Sequence, residues 1–141
     1  MLYPFDLETL NKLCKNTMMG HLGIEFTEVS EGRIVAKMPV DNRTIQPLKR
    51  LHGGATMALA ESVGSAGSLT LIDPTKFSVL GVEISGSHIA TTSEAFVFGI
   101  GTIVHKGRSS HVWEIRIEDE KGKLISLCRL TNHIIPIKPE K

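Results

Sequence analysis

One glutamate stands alone in a long stretch of small residues, and this contrast is the first chemical signal in the sequence. Between His52 and Asp73 the only ionisable side chain is Glu61, and 13 of the 18 residues from 53 to 70 are Gly, Ala, Ser or Thr. A carboxylate in such surroundings can act as a general base or as a nucleophile. The same pattern is also typical of a small-residue packing helix whose one charge lies at an exposed edge.

Two glycines follow His52 at the point where the predicted helix begins. The first backbone N–H groups of a helix have no partner within the helix, and they lie at the positive end of its dipole. Gly53 and Gly54 would let a ligand approach these groups closely. One such donor stabilises a carbonyl oxygen that gains negative charge by about 2.7–4 kcal/mol in known enzymes. The alternative interpretation is a flexible helix cap without a ligand.

The spacing along this helix predicts an assembly of two chains. Glu61 and Ser65 are four residues apart and share a face, so Ser65 could orient the carboxylate or a water molecule. From the helical rise, Glu61 lies on the order of 10 Å from the Gly54 amide. That separation is long for one active site, and a second subunit that presents the start of its own helix would shorten it.

The rest of the chain predicts the elements that position these residues. A short helix is predicted over 7–16, with Asp6 as its N-cap and Gly20 as a cap after its end. The long central helix is expected to end near Asp73-Pro74. Alternating apolar residues predict strands over 23–30, 33–40, 77–89, 94–106, 110–119 and 123–135. This order predicts an α+β fold, in which an antiparallel sheet wraps the helix and its edge strands can pair with a second copy.

Length and composition indicate a single domain over residues 1–141, with a frayed tail over 136–141. The net charge of +1 argues against nucleic-acid and anionic-membrane partners. No apolar run is long enough to span a membrane, and no export signal is visible. Cys14 and Cys128 form no CxxC spacing, which favours the cytoplasm, although one bridge between them stays open.

Other catalytic motifs fail on their spacing. The six histidines form no HExxH or HxH pattern, so no metal is expected. Gly-x-Ser-x-Gly and the phosphate-binding P-loop are absent. Gly99-Ile100-Gly101 opens a dinucleotide-binding pattern, but Val104 stands where its third glycine belongs.

The sequence resembles the hot-dog fold acyl-CoA thioesterases. The resemblance is greatest to the branch of the phenylacetic-acid-degradation, 4-hydroxybenzoyl-CoA and 1,4-dihydroxy-2-naphthoyl-CoA thioesterases and the enterobactin-pathway proofreading thioesterase. The segments that carry it are Pro39-Val40-Asp41, Arg43-Thr44, Gln46-Pro47, Leu51-His52-Gly53-Gly54-Ala55, Leu59-Ala60-Glu61-Ser62-Val63-Gly64-Ser65, Gly81-Val82-Glu83-Ile84 with His88, Val112-Trp113-Glu114-Ile115 and Asp119-Glu120-Lys121-Gly122.

This resemblance implies a hot-dog fold and the hydrolysis of an acyl-CoA or aroyl-CoA thioester without a metal or other cofactor. It implies that Glu61 acts on the thioester carbonyl as general base or nucleophile, while the Gly54 backbone N–H polarises that carbonyl. His52 and Gln46 would position the carbonyl or help the thiolate to leave. The resemblance leaves open whether water attacks directly or an anhydride forms at Glu61.

The resemblance also implies how the substrate is bound. Ser65 and His88 would hold the acyl end or a water molecule, and Gly53 and Ser62 are expected beside them. A surface turn is expected to contact the CoA phosphates, or else to be merely solvated; its residues are Lys106, Arg108 and Ser109. Active sites would be shared across a homodimer, with Glu61 of one subunit facing Gln46, His52 and Gly54 of the other, and dimers would pair into a tetramer.

One departure limits the resemblance. Relatives in the naphthoyl branch commonly carry a basic residue shortly after the position of His88, whereas this chain has Ile89-Ala90-Thr91-Thr92. This difference weakens an assignment to 1,4-dihydroxy-2-naphthoyl-CoA relative to a broader acyl-CoA role. Two other functions stay open, namely a hot-dog hydratase or dehydratase and a non-catalytic module that binds or senses acyl-CoA. Glu61 argues against the module, because a binder gains little from an uncompensated buried carboxylate.

Overall fold

The computed structural model describes Tyr3 and residues 5–140, in which six antiparallel strands cover one long helix. Residues 1, 2, 4 and 141, which the single-domain and tail predictions include, lie outside the described residues. The order and antiparallel pairing predicted from the sequence are confirmed. The elements are α1 (Leu7–Cys14), α2 (Met18–His21), β1 (Glu25–Ser30), β2 (Arg33–Pro39), α3 (Gly53–Leu69), β3 (Phe77–His88), β4 (Phe96–Lys106), β5 (Ser110–Asp119) and β6 (Leu124–Pro136).

The N-terminal segment differs from its prediction at one point. The Asp6 side chain caps α1 as expected, by accepting the Thr9 N–H at 2.8 Å. The chain then turns at Asn16, whose φ is +60°, and forms the additional helix α2. Gly20 therefore lies inside α2 and is not a helix cap. A Cβ at this position would come within 2.5 Å of the Cys14 carbonyl oxygen, so the glycine permits α2 to pack on the end of α1.

The two edges of the sheet differ in how they are covered. The strand order is β1-β2-β4-β5-β6-β3, so β1 and β3 are the edge strands. At β1, the Asn11 side chain donates to the carbonyl oxygen of Phe26 at 3.0 Å and accepts its N–H at 2.8 Å. Along β3 every residue is at least partly exposed, and Leu80 and Val82 are 53% and 45% exposed. An unpaired edge of this kind is a template for another strand.

The α3 helix is buried because its small residues let the sheet approach it closely. A Cβ at Gly64 would come within 2.6 Å of the Leu130 side chain, and one at Gly67 within 2.6 Å of the Trp113 ring. These contacts explain why the helix tolerates glycines, which otherwise cost roughly 1 kcal/mol each relative to alanine. The helix ends at Leu69, with Thr70 as its C-cap, about one turn before the predicted end.

A buried polar cluster connects the C-terminal half of α3 to β5 and β6. The Ser68 hydroxyl oxygen accepts from Trp113 Nε1 at 2.8 Å and from Asn132 Nδ2 at 2.9 Å. These donors use both acceptor sites of Ser68, so its proton goes to His111 Nδ1, 2.9 Å away. His111 is therefore neutral, with its own proton on Nε2. Burial lowers the pKa of His111, and the charge of nearby Lys106 lowers it further.

Candidate active site

The first turn of α3 joins three of the predicted site residues. His52 is the N-cap, and its Nδ1 accepts the Gly54 N–H at 2.8 Å. A Cβ at Gly53 would come within 2.7 Å of Nε2 of His88, so glycine is needed where the His88 ring packs on the helix. The Gly54 N–H is engaged by His52, so the role predicted for it at a carbonyl oxygen requires the His52 ring to rotate away.

His88, at the end of β3, is held by a residue that the sequence did not indicate. Its Nδ1 lies 2.8 Å from the hydroxyl oxygen of Ser126, which is fully buried at the start of β6. Among the residues that the structure describes, His88 is the only hydrogen-bond partner of this hydroxyl. The hydroxyl must therefore donate to Nδ1 of the neutral ring, because a buried O–H without an acceptor is costly. The ring proton then lies on Nε2, which faces the first turn of α3.

A cleft of about 200 Å³ lies beside this turn. Gln46 reaches it from the loop between β2 and α3, where the Ile45–Leu51 bridge closes the loop. The side-chain oxygen of Gln46 accepts the Leu48 N–H, which leaves the amide NH₂ as its available donor group. The lining consists of Gln46, Leu51, Gly53, Thr56, His88, Ala90, Thr91, Ile125 and Ser126.

Glu61 lies in the middle of α3, beside the free edge of the sheet. The helix itself is buried as predicted, but the Glu61 side chain is exposed in the single chain. A Cβ at Gly81 of β3 would come within 2.7 Å of Glu61 Oε1, so the carboxylate fits against the strand because Gly81 has no side chain. Within the described part of the chain, no hydrogen bond or ion pair engages this carboxylate. Glu61 lies seven residues after Gly54 in the continuous helix α3, and the helical rise separates the two by on the order of 10 Å.

A larger apolar cavity of about 470 Å³ opens between α1, α3 and β3. Ser62 and Ser65 reach it from α3. The Ser62 hydroxyl donates to the carbonyl oxygen of Ala58 at 2.7 Å, so its proton is already engaged within the helix. The other residues that line the cavity are Leu10, Leu13, Cys14, Met19, Phe26, Ala66, Leu69, Pro74, Phe77, Ser78, Val79 and Ile137.

The predicted phosphate contacts lie at the opposite end of the molecule. Lys106 is the last residue of β4, and Arg108 and Ser109 lie in the turn that leads to β5, near the C-terminal end of α3. Lys106 and Arg108 line a cavity of about 270 Å³ together with Lys76. Because α3 has 17 residues, this turn lies about 25 Å from the start of the helix in the same chain.

The structure thus brings together one group of the predicted residues and separates the others. Gln46, His52, Gly53, Gly54 and His88 meet at the start of α3. Glu61, Ser62 and Ser65 lie two to three turns further along the helix, and the basic turn lies beyond its end.

The cysteines and the metal-binding residue types form no further centre. Cys14 and Cys128 are both free and buried, so the bridge that the sequence left open does not form. Burial raises the pKa of Cys128 to about 11, which keeps it a thiol and not a nucleophile at neutral pH. Among the described residues, no three His, Cys, Asp or Glu side chains are grouped to hold a metal ion. No helix in the described part of the chain is both long enough and apolar enough to cross a membrane.

Known proteins are similar to this chain in both sequence and fold. Residues 48–126 match the family model of the Thioesterase superfamily. The chain is 45% identical over 130 residues to the proofreading thioesterase EntH of Cronobacter turicensis, which covers 92% of this chain and 93% of that protein. A thioesterase structure from Haemophilus influenzae has a TM-score of 0.94 and 39% identity, covering 99% of both chains. A mutant thioesterase from Pseudomonas aeruginosa has a TM-score of 0.92 and 37% identity, covering 96% of this chain and 97% of that one.

These matches define the class of protein. An antiparallel sheet wrapped around a long central helix is the hot-dog fold of thioesterases, as the sequence resemblance predicted. The chain belongs to the thioesterase superfamily and is a thioester hydrolase.

Proposed function

We propose that this thioesterase hydrolyses acyl-CoA or aroyl-CoA thioesters to the free acid and CoA, at sites shared by two copies of the chain. The observation that carries the proposal is the position of Glu61. Its carboxylate lies at the free edge of the sheet, against Gly81, and two turns away from the oxyanion-binding start of its own helix. A carboxylate at that edge is placed to act on a substrate held by a second subunit.

The β3 strand supplies the pairing surface for the second copy. Its first residue, Phe77, lies towards the C-terminal end of α3, and its last, His88, lies against the start of α3. Two β3 strands that pair antiparallel about a twofold axis therefore bring the helix start of one subunit towards the Glu61 side of the other. This arrangement supplies the proximity that one chain lacks. We propose that such dimers pair further into tetramers.

The catalytic roles follow from the donors at the start of α3. The thioester carbonyl oxygen would accept the Gly54 N–H and the amide NH₂ of Gln46, with the His52 ring turned aside. Glu61 of the partner subunit acts on the carbonyl as general base or nucleophile. The tetrahedral intermediate would then expel CoA as its thiolate, and we propose that His52, the N-cap of α3, assists that departure. Neither a metal nor an organic cofactor is needed for these steps.

The cavities suggest where the two ends of the substrate bind. The apolar cavity of 470 Å³ begins beside Glu61, at Ser62 and Ser65, and has room for an aromatic or medium-length aliphatic acyl group. The hydroxyl of Ser65 would contact a polar substituent or a water molecule, and His88 would contact the acyl end from the cleft. A 1,4-dihydroxy-2-naphthoyl group is one candidate of suitable size.

Basic residues would bind the nucleotide end of CoA. Lys106 and Arg108 line the cavity at the far end of α3, and Ser109 follows them in the same turn. In an antiparallel dimer this turn of one subunit approaches the helix start of the other, so the phosphates would contact the subunit that supplies Glu61. We place this reaction in the cytoplasm, where two free thiols such as Cys14 and Cys128 persist.

Thiol release from a panel of acyl-CoAs tests the proposal directly. The panel contains short aliphatic, long aliphatic and aromatic thioesters, and it is assayed with wild type and with Glu61→Ala. We expect turnover with at least one class and a loss of about 100-fold or more in Glu61→Ala, since a general base contributes 10²–10⁴-fold. A folded wild-type protein that binds CoA esters but releases no thiol would favour the binding module instead.

A further inference from the structure

Asn132 is a buried polar residue of β6 in which only the NH₂ group of the side-chain amide makes hydrogen bonds. Its Nδ2 donates to the Gly64 carbonyl oxygen at 3.1 Å and to the Ser68 hydroxyl oxygen at 2.9 Å. Because a carbonyl oxygen can only accept, these bonds fix which branch of the amide carries the oxygen. That oxygen, Oδ1, is the one buried side-chain N or O among the described residues that has no hydrogen-bond partner.

This unpartnered oxygen lies beside Glu61. Asn132 is paired with Gly81 across β6 and β3, and a Cβ at Gly81 would come within 3.6 Å of Asn132 Oδ1 and 2.7 Å of Glu61 Oε1. The two oxygens therefore both lie next to Gly81, which has no side chain to separate them. Both are acceptors when Glu61 is ionised, so neither can satisfy the other.

A single water molecule satisfies both oxygens, since it has two protons to donate. We propose that Asn132 is a positioning residue for thioester hydrolysis: Asn132 Oδ1 and the Glu61 carboxylate accept the two protons of one water, and this fixes its oxygen towards the thioester carbonyl. The inference rests on the proposed function of Glu61. It selects the general-base route over an anhydride at Glu61.

The chemical step is balanced with water as the only co-reactant. A lone pair of the water oxygen forms the C–O bond, and the carbonyl π electrons move to the carbonyl oxygen. Glu61 removes the water proton that is hydrogen-bonded to its carboxylate. When the carbonyl re-forms, the C–S bond breaks with its electron pair on sulfur, and the proton passes from Glu61 to the thiolate. The products are the acid and the CoA thiol, and Asn132 is unchanged.

Kinetics of two variants test the role of Asn132. Asn132→Leu keeps the approximate side-chain size and removes Oδ1, and Gly81→Ala places a methyl group beside both oxygens, within 2.7 Å of Glu61 Oε1 and 3.6 Å of Asn132 Oδ1. We expect each to lower kcat about 10- to 100-fold with little change in KM, a loss typical of a misplaced reactant. Because both act on one water, the double variant should lose little more than either single variant.

Ser68→Ala is the matched control, since it removes one anchor of Nδ2 and leaves Oδ1 in place. Measured per folded protein at a temperature where each variant is folded by circular dichroism, it should keep kcat within about threefold of wild type. Asn132→Leu that keeps wild-type kcat, or losses that multiply in the double variant, would overturn the role of Asn132. A wild type without thioesterase activity would overturn the proposed function together with it.

Discussion

The Ser68 hydroxyl is the common hydrogen-bond partner in the buried polar cluster. Its replacement by alanine should lower the free energy of unfolding more than the removal of any other side-chain hydroxyl in α3. The substitution leaves three groups without their partner: the Trp113 Nε1–H, one N–H of Asn132 and the Nδ1 acceptor of His111. All three side chains are at most 2% exposed. A buried polar group left unsatisfied costs about 1–3 kcal/mol, so the three together predict a loss of about 3–9 kcal/mol in the free energy of unfolding.

Urea denaturation followed by tryptophan fluorescence measures this loss, because Trp113 is the only tryptophan and lies within the cluster. Ser65→Ala is the matched control, since Ser65 is one turn earlier on the same helix, is only partly buried and has no hydrogen bond among the described residues. The control should change the free energy of unfolding by less than about 1 kcal/mol. If Ser68→Ala were equally mild, the hydrogen bonds assigned to the cluster could not be the ones that stabilise it.

Three further predictions concern protonation, positioning and assembly. Because burial lowers the pKa of His111 in the folded state, the unfolded chain binds a proton that the folded chain does not. The free energy of unfolding should therefore decrease as the pH falls below about 6.5, and urea melts at several pH values should show a smaller decrease for His111→Gln. Ser126→Ala should lower kcat about 10-fold, as measured by thiol release. The same substitution should have little effect in a His88→Ala variant, and equal losses in both backgrounds would refute an effect through His88. Val82→Asp should be an inactive protein that is monomeric by light scattering. Val104→Asp changes a valine that is similarly exposed, and this variant should remain at least dimeric. A dimeric Val82→Asp variant would exclude pairing through β3.

The elements of the fold could be predicted because their signals are local. The alternation of apolar residues located all six strands to within two residues at each end, and the small residues of α3 predicted a buried helix. Gly20 was misassigned because a helix of four residues is too short to show a periodic pattern. A glycine that permits close packing cannot be told from one that ends a helix without knowing what lies beside it.

The candidate site could be predicted from the sequence only where its residues are neighbours in the chain. His52, Gly53 and Gly54 are consecutive, so their pattern is visible in the sequence. Glu61 can be singled out because no other residue between His52 and Asp73 is ionisable. Ser126 was not predictable, because it reaches its partner His88 only through the register between β3 and β6. The same holds for Asn132 and Gly81, which are 51 positions apart in sequence and directly opposite in the sheet. Register between distant strands has no signature in a single sequence.

The Asn11 side chain occupies the backbone N–H and carbonyl oxygen of Phe26, and this has a consequence for the proposed assembly. An edge-to-edge assembly continues into a filament only if each added chain presents a new open edge. In the proposed dimer both β3 strands are paired, so each outer edge of the joined sheet is a β1 strand in which Asn11 already engages Phe26. Growth of the sheet by edge pairing would therefore stop after one chain is added. The exposed β3 edge, which in another protein would favour aggregation, can then remain unpaired until the second subunit binds.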